Sequence, residues 1–225
     1  MTDDAKAEPA EKTTQHAALQ GVRVVELGSG PTTGLAGMIL ADFGAEVIRI
    51  QPPHTSEQDK LAAASMWHRG KHTLALDLKN AEEHGNLQQL LNGADVLLCN
   101  WRPASLRAAN LHPEQIHKQH PHLHFCHLTG FGSDGPMAEC PGYEHAVAAY
   151  CGRMQMFSGI VPRPGPVFSA LQVGIHACVQ AAVSGILAAL YASRHSHQGQ
   201  LIETSILQGM LAYEQGPMPV SYTHL

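Results

Sequence analysis

Short apolar runs alternate along this chain with segments of helical period. Runs rich in β-branched and other apolar residues predict buried strands at 22–27, 46–50, 73–78, 95–99 and 123–129. Helical spacing of apolar residues, or a proline at an early position, predicts helices at 32–43, 82–91, 103–110 and 113–119. Because strands and helices alternate, we predict an α/β fold with a doubly wound, mostly parallel sheet.

The longest apolar segment, residues 171–193, contains no Asp, Glu, Lys or Arg and is rich in alanine. Such a segment is typical of a helix at the buried centre of a domain. His176, Gln180 and Ser184 recur every four positions, so they share one face of that helix. The length would also suit a membrane span, but these polar residues and the lack of a second comparable segment argue against a membrane protein.

The composition favours a soluble globular enzyme, since 44% of the 225 residues are hydrophobic and 15% are charged. A formal net charge of −5, without any cluster of Lys and Arg, argues against nucleic-acid binding. The five cysteines are odd in number and form no CxxC pair, which favours reduced thiols and a cytoplasmic location. Residues 1–20 are polar and lack an apolar core, so we expect a disordered tail rather than a secretory signal.

In a parallel sheet, ligands bind beyond the carboxyl ends of the strands, where we expect loops at 28–33, 100–103 and 130–136. The first loop has the spacing Gly28-x-Gly30-x-x-x-Gly34, which differs from the GxGxxG of dinucleotide sites. Gln51 ends the second strand, where an NAD site needs an acidic residue. These departures favour a tight turn over an NAD site.

A metal site is a second alternative, because the chain is rich in histidine. His122, His124 and Cys126 would lie on one face of the fifth predicted strand, and all three are acceptable zinc ligands. Adjacent positions on one strand supply too few ligands, and the sequence offers no clear fourth. We therefore predict no metal site.

Five stretches carry a family resemblance from about residue 21 to residue 207. They are GVRVVELGSGPTTGLAGMILADFGAEVIRIQPP, GKHTLALDLKN, ADVLLCNWRPASL, HPHLHFCHLTGFGSDGPMAECPGYEHAVAAYCG and SGILAALYASRHSHQGQLIETSIL. Together they resemble the family III CoA-transferases, the group that includes formyl-CoA transferase, the carnitine and bile-acid CoA-transferases and alpha-methylacyl-CoA racemase. The resemblance implies a protein that moves CoA between an acyl-CoA and a carboxylic acid, with no permanently bound cofactor.

The resemblance also implies where CoA binds. The implied CoA-binding residues are Gly28, Ser29, Gly30, Leu76, Lys79, Asn100, Trp101, Arg102, Gly130, Phe131 and Gly132. Free N–H groups in the first turn and at the start of the next helix suit phosphate or carbonyl oxygen. Trp101 is a candidate for stacking on adenine, while Lys79 and Arg102 supply positive charge.

Members of this family use an aspartate at the start of the long helix, as a nucleophile in the transferases and for proton transfer in the racemases. Counting back from GILAAL without a gap puts Ile175 at that position. Glu144 and Cys178 are weak substitutes, so we predict no catalytic residue and doubtful activity for this chain alone. Two alternatives stay open: a non-catalytic CoA-binding or dimerising half of a tandem transferase, and an acyl-CoA racemase or isomerase-like protein.

The resemblance gives an expected domain organisation. We expect the large, CoA-binding domain at residues 21–215 and a truncated or foreign tail at 216–225. The small domain and return segment of the family would then be missing. The resemblance further implies an interlocked homodimer or a tandem partner domain.

Overall fold

A computed structural model describes residues 17–54, 60–156 and 162–213. The strands are β1 (Arg23–Leu27), β2 (Glu46–Gln51), β3 (Lys71–Ala75), β4 (Val96–Cys99), β5 (His124–Thr129) and β6 (Leu201–Ser205). The helices are α1 (Pro31–Asp42), α2 (Ala64–Trp67), α3 (Ala81–Asn92), α4 (Pro103–Ala108), α5 (Pro113–Gln119), α6 (Glu144–Tyr150), α7 (Arg153–Met156), α8 (Val173–Ser196) and α9 (Ile206–Tyr213).

Both predicted tails fall largely or wholly outside the described residues. The segment 216–225 is outside them, and so are residues 1–16 of the predicted tail at 1–20. The described part of that tail packs on the domain, because Leu19 is buried and its N–H donates to the carbonyl of Phe43.

The six strands form one parallel sheet in the order β3-β2-β1-β4-β5-β6. The predicted α/β fold with a doubly wound, mostly parallel sheet is confirmed. This strand order is also that of the doubly wound sheets that bind dinucleotides. The order reverses between β1 and β4, so the loops that follow these two strands diverge and leave a crevice.

Alternate residues of each strand face opposite sides of the sheet and build two cores. On one side, Val24 and Leu98 pack with α1 and α8. On the other, Val25 and Leu97 pack with side chains of α3, α4 and α5. Helices on both faces explain why β4 and β5 are buried at every position. The strand β4 is a continuous apolar run, whereas β5 also buries the polar residues His124, His127 and Thr129.

The long apolar helix, α8, begins two residues after the predicted start and ends three residues after the predicted end. Its inner face, with Ile175, Cys178 and Ile186, is buried against α1 and the sheet. The predicted polar stripe is exposed, so α8 is buried on one face rather than all round. Within the described residues α8 is the one helix long and apolar enough to cross a membrane, and half of its most apolar window is buried inside the domain.

The edge strand β3 begins two residues before the predicted strand at 73–78 and ends three residues earlier than predicted. Its first residue, Lys71, belongs to a buried ion pair. Lys71 Nζ donates to Glu26 Oε2 at 2.6 Å and to the Gly34 carbonyl at 2.8 Å, and the side chains of the pair are at most 1% exposed. Burial lowers the pKa of Lys71, and the Glu26 carboxylate opposes that shift. The prediction of β3 relied on a run of apolar residues, so it left out the charged Lys71 at the start of the strand.

Gly37 of α1 leaves room for this ion pair, so we expect Gly37→Ala to destabilise the protein. The added methyl group would collide with Glu26 Oε2 and lie 2.9 Å from Lys71 Nζ. Overpacking of this kind costs about 1–3 kcal/mol of unfolding free energy. Gly85→Ala in α3 is the matched control, since nothing lies within 4 Å of its added methyl group and alanine favours a helix. Urea unfolding measures the free energy of unfolding of both variants. Equal values would contradict the close packing of Gly37 against the Glu26–Lys71 ion pair.

Candidate active site

A cleft of about 800 Å³ opens at the reversal point of the sheet. Its walls are the loop after β1, the loop after β4 and the starts of α6 and α8. Four of the predicted CoA-binding residues line it, namely Ser29, Asn100, Trp101 and Arg102. The fold therefore brings these residues to the same cleft as Ile175 and Glu144, which also line it.

A second cavity, of about 290 Å³, lies at the carboxyl ends of β1, β2 and β3. The predicted CoA-binding residues Gly28, Leu76 and Lys79 line it, together with apolar side chains that include Leu27 and Ile50. Ser29 and Trp101 line both this cavity and the cleft. The predicted CoA-binding residues are thus divided between two adjoining spaces.

Short contacts fix the wall between the two spaces. Asn100 Nδ2 donates to the carbonyl of Ser29 at 2.9 Å, which ties the loop after β4 to the loop after β1. Gly28 has a φ of 154°, and a Cβ there would collide with the side-chain amide of Asn100. The carbonyl of Trp101 lies 2.7 Å from Nε2 of the buried His127. These contacts position Trp101 from both sides of the reversal point.

The start of α8 presents Ile175 where the family resemblance requires an aspartate. Its side chain lines the cleft and is 4% exposed. Glu144 is buried beside it, with Oε1 accepting the Gly174 N–H at 2.9 Å and Oε2 accepting the Ile175 N–H at 2.8 Å. Glu144 therefore supplies the N-terminal cap of α8, since the residue in the N-cap position makes no side-chain cap of its own.

Cys178, the other proposed substitute, lies one turn further into the core. It is fully buried and, among the described residues, is not one of those that line the cleft. Burial, and then the nearby Glu144 charge, raise the pKa of the thiol to about 12, against a hydrogen bond with Thr204 that lowers it. A thiol of that pKa stays protonated at neutral pH, which argues against Cys178 as a nucleophile.

The remaining predicted CoA-binding residues have other neighbours. Gly130 packs against Gly142 and borders a small chamber of about 70 Å³ at the end of β5. The ring of Phe131 lies edge-on to Tyr150, and the Gly132 N–H donates to Thr129 Oγ1. Gly130 alone of these three borders one of the described cavities.

The histidines of β5 are engaged in the fold. His124 Nδ1 accepts the N–H of Gln200 at 3.1 Å, and Cys126 is buried in the core. Within the part of the chain that the structure describes, no group of three or more His, Cys, Asp and Glu side chains is placed to hold a metal ion.

Several residues of the cleft have no counterpart in the sequence prediction. Trp67, Tyr143, His145 and Phe168 line it, and they come from three segments that are distant in sequence. None of them belongs to a periodic run, so only the topology reveals that they share a site.

A family model described as CoA-transferase family III matches residues 19–223. The chain belongs to this family. It is 30% identical over 211 residues to succinyl-CoA–D-citramalate CoA-transferase of Chloroflexus aurantiacus, covering 89% of the chain and 52% of that relative. It is 33% identical over 191 residues to alpha-methylacyl-CoA racemase of Mus musculus, covering 85% of the chain and 48% of that relative. The chain thus spans about half the length of these curated relatives.

Solved structures agree on the fold. Rv3272 from Mycobacterium tuberculosis matches with a TM-score of 0.85 at 23% identity, over 93% of this chain and 60% of that chain. A CAIB/BAIF family protein from Brucella suis matches with a TM-score of 0.82 at 24% identity, over 93% of this chain and 58% of that chain. At this identity the likeness concerns the fold alone.

Proposed function

We propose that this chain is the acyl-CoA-binding part of a CoA-transferase, and that by itself it binds CoA thioesters without transferring CoA. The observation that carries the proposal is the pair of adjoining cavities that share Ser29 and Trp101 at the reversal point of the sheet. In the complete reaction, CoA passes from an acyl-CoA to a carboxylic acid. A carboxylate for that step comes from a partner domain that carries the aspartate.

The smaller cavity suits the nucleotide end of CoA. Its apolar floor and the neighbouring Trp101 ring suit the adenine. Lys79 supplies a positive charge for phosphate at the same rim. The first turn of α1 lacks both an acidic residue and a side-chain cap, so its N–H groups are available for an anion or a carbonyl oxygen.

The larger cleft suits the acyl end, because it holds the start of α8. A carboxylate there would attack the thioester carbon and release the CoA thiolate. Ile175 has no lone pair, and both oxygens of Glu144 already accept hydrogen bonds from α8. These contacts favour binding without transfer over the racemase or isomerase alternative, which also needs a group that exchanges protons.

Tryptophan fluorescence tests CoA binding directly, because the two tryptophans of the chain both line the cleft. In Trp67→Phe, Trp101 is the remaining indole, and we expect CoA to change its emission in a saturable manner. Lys79→Ala should weaken binding by about three- to tenfold, the effect of losing one charge-assisted contact. Lys118→Ala is the matched control, because this exposed lysine lies in the last turn of α5, away from both cavities. The proposal fails if CoA causes no saturable change, or if both lysine variants bind it equally.

A further inference from the structure

The rim of the cleft is unusually rich in aromatic rings. Both tryptophans of the chain, one of its five tyrosines and one of its five phenylalanines line this one cleft, together with His145. Aromatic residues make up only 5% of the sequence, so their concentration at one site points to the ligand that the site takes. Trp67 and Trp101 also pack in or against the two hydrophobic cores, but Tyr143, His145 and Phe168 lie on the exposed surface of the domain, so packing of the cores does not explain them.

Three of the rings form an ordered row. The rings of Tyr143 and His145 are stacked, with centroids 5.6 Å apart and planes 10° apart. Phe168 meets the His145 ring edge-on, with centroids 6.1 Å apart and planes 87° apart. Tyr143 is 51% exposed and Phe168 is 45% exposed, so much of this row is open to a ligand. We refer to Tyr143, His145 and Phe168 as the aromatic row.

The aromatic row lies beside the start of α8. Tyr143 directly precedes Glu144, whose carboxylate holds the N–H groups of Gly174 and Ile175. A thioester carbon presented to residue 175 would therefore place its acyl group next to the row. Trp67, which is 6% exposed, lines the same cleft and adds a further ring.

The charges of the cleft argue against an acyl group that carries a free carboxylate. Arg102 is the one Lys or Arg among the described residues that line the cleft, and its guanidinium donates to the carbonyl of Glu139 at 3.3 Å. The other charged group is the Glu144 carboxylate, which would repel a second anion. Flat apolar groups, by contrast, gain from offset or edge-on contact with aromatic rings.

We propose that the cleft selects CoA thioesters of aromatic acids, with the ring of the acyl group packed against Tyr143, His145 and Phe168. This assignment rests on the proposed function, because it requires that CoA binds across the two cavities. It goes further in naming the chemical class of the acyl group and the residues that choose it.

The test compares three thioesters with CoA itself, by calorimetry on the full chain. Phenylacetyl-CoA should bind at least about tenfold more tightly than acetyl-CoA, since aromatic pairs add to simple burial. Succinyl-CoA should bind no more tightly than acetyl-CoA, because the one Lys or Arg that the cleft offers its free carboxylate, Arg102, already donates to the Glu139 carbonyl. The affinity for free CoA is the reference, because the proposed function requires that CoA itself binds.

Substitutions then test whether the aromatic row causes the preference for phenylacetyl-CoA. Phe168→Ala should remove most of the advantage that phenylacetyl-CoA has over acetyl-CoA. Phe168→Leu retains an apolar side chain and should keep part of the advantage, which guards against a loss due to misfolding. Tyr191→Ala is the matched control, because Tyr191 is 68% exposed on the outer face of α8 and does not line the cleft.

The outcomes separate the two proposals. If free CoA does not bind, the proposed function fails and the assignment fails with it. If free CoA binds but phenylacetyl-CoA has no advantage over acetyl-CoA, only the assignment is overturned. A preference for succinyl-CoA, or an equal loss of the advantage in Tyr191→Ala, would also overturn the assignment.

Discussion

Replacing Ile175 with aspartate is expected to give this chain a covalent adduct with an acyl-CoA, where the natural side chain gives none. The carboxylate oxygen would attack the thioester carbon, and the C–S bond would break. CoA would depart as the thiolate, and the acyl group would be joined to residue 175 as a mixed anhydride. The thiolate can then attack the carbonyl carbon of residue 175, which releases the acid and leaves an enzyme–CoA thioester. Loss of a covalent nucleophile lowers rates by several orders of magnitude. Because the family resemblance aligns residue 175 with the aspartate, and because that residue lines the cleft, Ile175→Asp is expected to restore part of the lost rate.

Mass spectrometry of the intact protein after incubation with an acyl-CoA detects the adduct. Ile175→Asn is the control, because its amide has a similar shape and a much weaker nucleophilic oxygen. The buried aspartate lies near the Glu144 carboxylate, so we also expect the variant to lose about 1–3 kcal/mol of unfolding free energy. An adduct on the unaltered chain would contradict the assignment of Ile175 as a missing nucleophile.

Removal of the Glu144 side chain is expected to destabilise the protein strongly. In Glu144→Ala the N–H groups of Gly174 and Ile175 lose their acceptor in a buried place. Each unsatisfied buried donor costs about 1–3 kcal/mol, so loss of the acceptor for two donors should lower the unfolding free energy by about 2–6 kcal/mol. The carboxylate also contributes the one negative charge described at this helix N-terminus, because the first turn of α8 has no acidic residue of its own.

Urea unfolding measures this loss of stability. Two further variants show whether it comes from the hydrogen bonds of Glu144 or from the loss of any acidic side chain. Glu144→Gln retains one oxygen acceptor without the charge, so it should lose about half as much. Glu114→Ala removes an exposed acid from the first turn of α5 and should change the stability by only about 0.5 kcal/mol. If Glu144→Ala unfolds like the unaltered protein, Glu144 is not the cap, and its carboxylate becomes available as a catalytic group.

The sequence predicts the sheet well where the physical signal is local. The central strands β1, β2, β4 and β5 are close to their predicted bounds, because helices cover both faces and each strand carries several buried apolar side chains. The strand β6 is absent from the prediction because it mixes polar and apolar residues, with Glu203 partly open at the sheet edge. The bounds of β3 differ because the charge of Lys71 is compensated by Glu26, a residue 45 positions away.

The site was predictable only in part. Resemblance places Ser29, Asn100, Trp101 and Ile175 in one region, and the cleft brings these four residues together. It could not show that the carboxylate of Glu144 is engaged by the start of α8, because hydrogen-bond partners 30 residues apart leave no mark on a pattern. The aromatic row is hidden for the same reason, since the fold alone brings Phe168 to the ring of His145.

The shared wall at Trp101 has a thermodynamic consequence. Trp101 lines both the cleft and the smaller cavity. Under the proposed function, an occupant of either space would therefore alter the contacts that the other space offers. Such coupling is reciprocal: the factor by which an acyl group changes the affinity for the nucleotide end equals the factor by which the nucleotide end changes the affinity for the acyl group. Affinities for the nucleotide fragment, for the free acid and for both together therefore yield a single coupling constant, whichever ligand is added first.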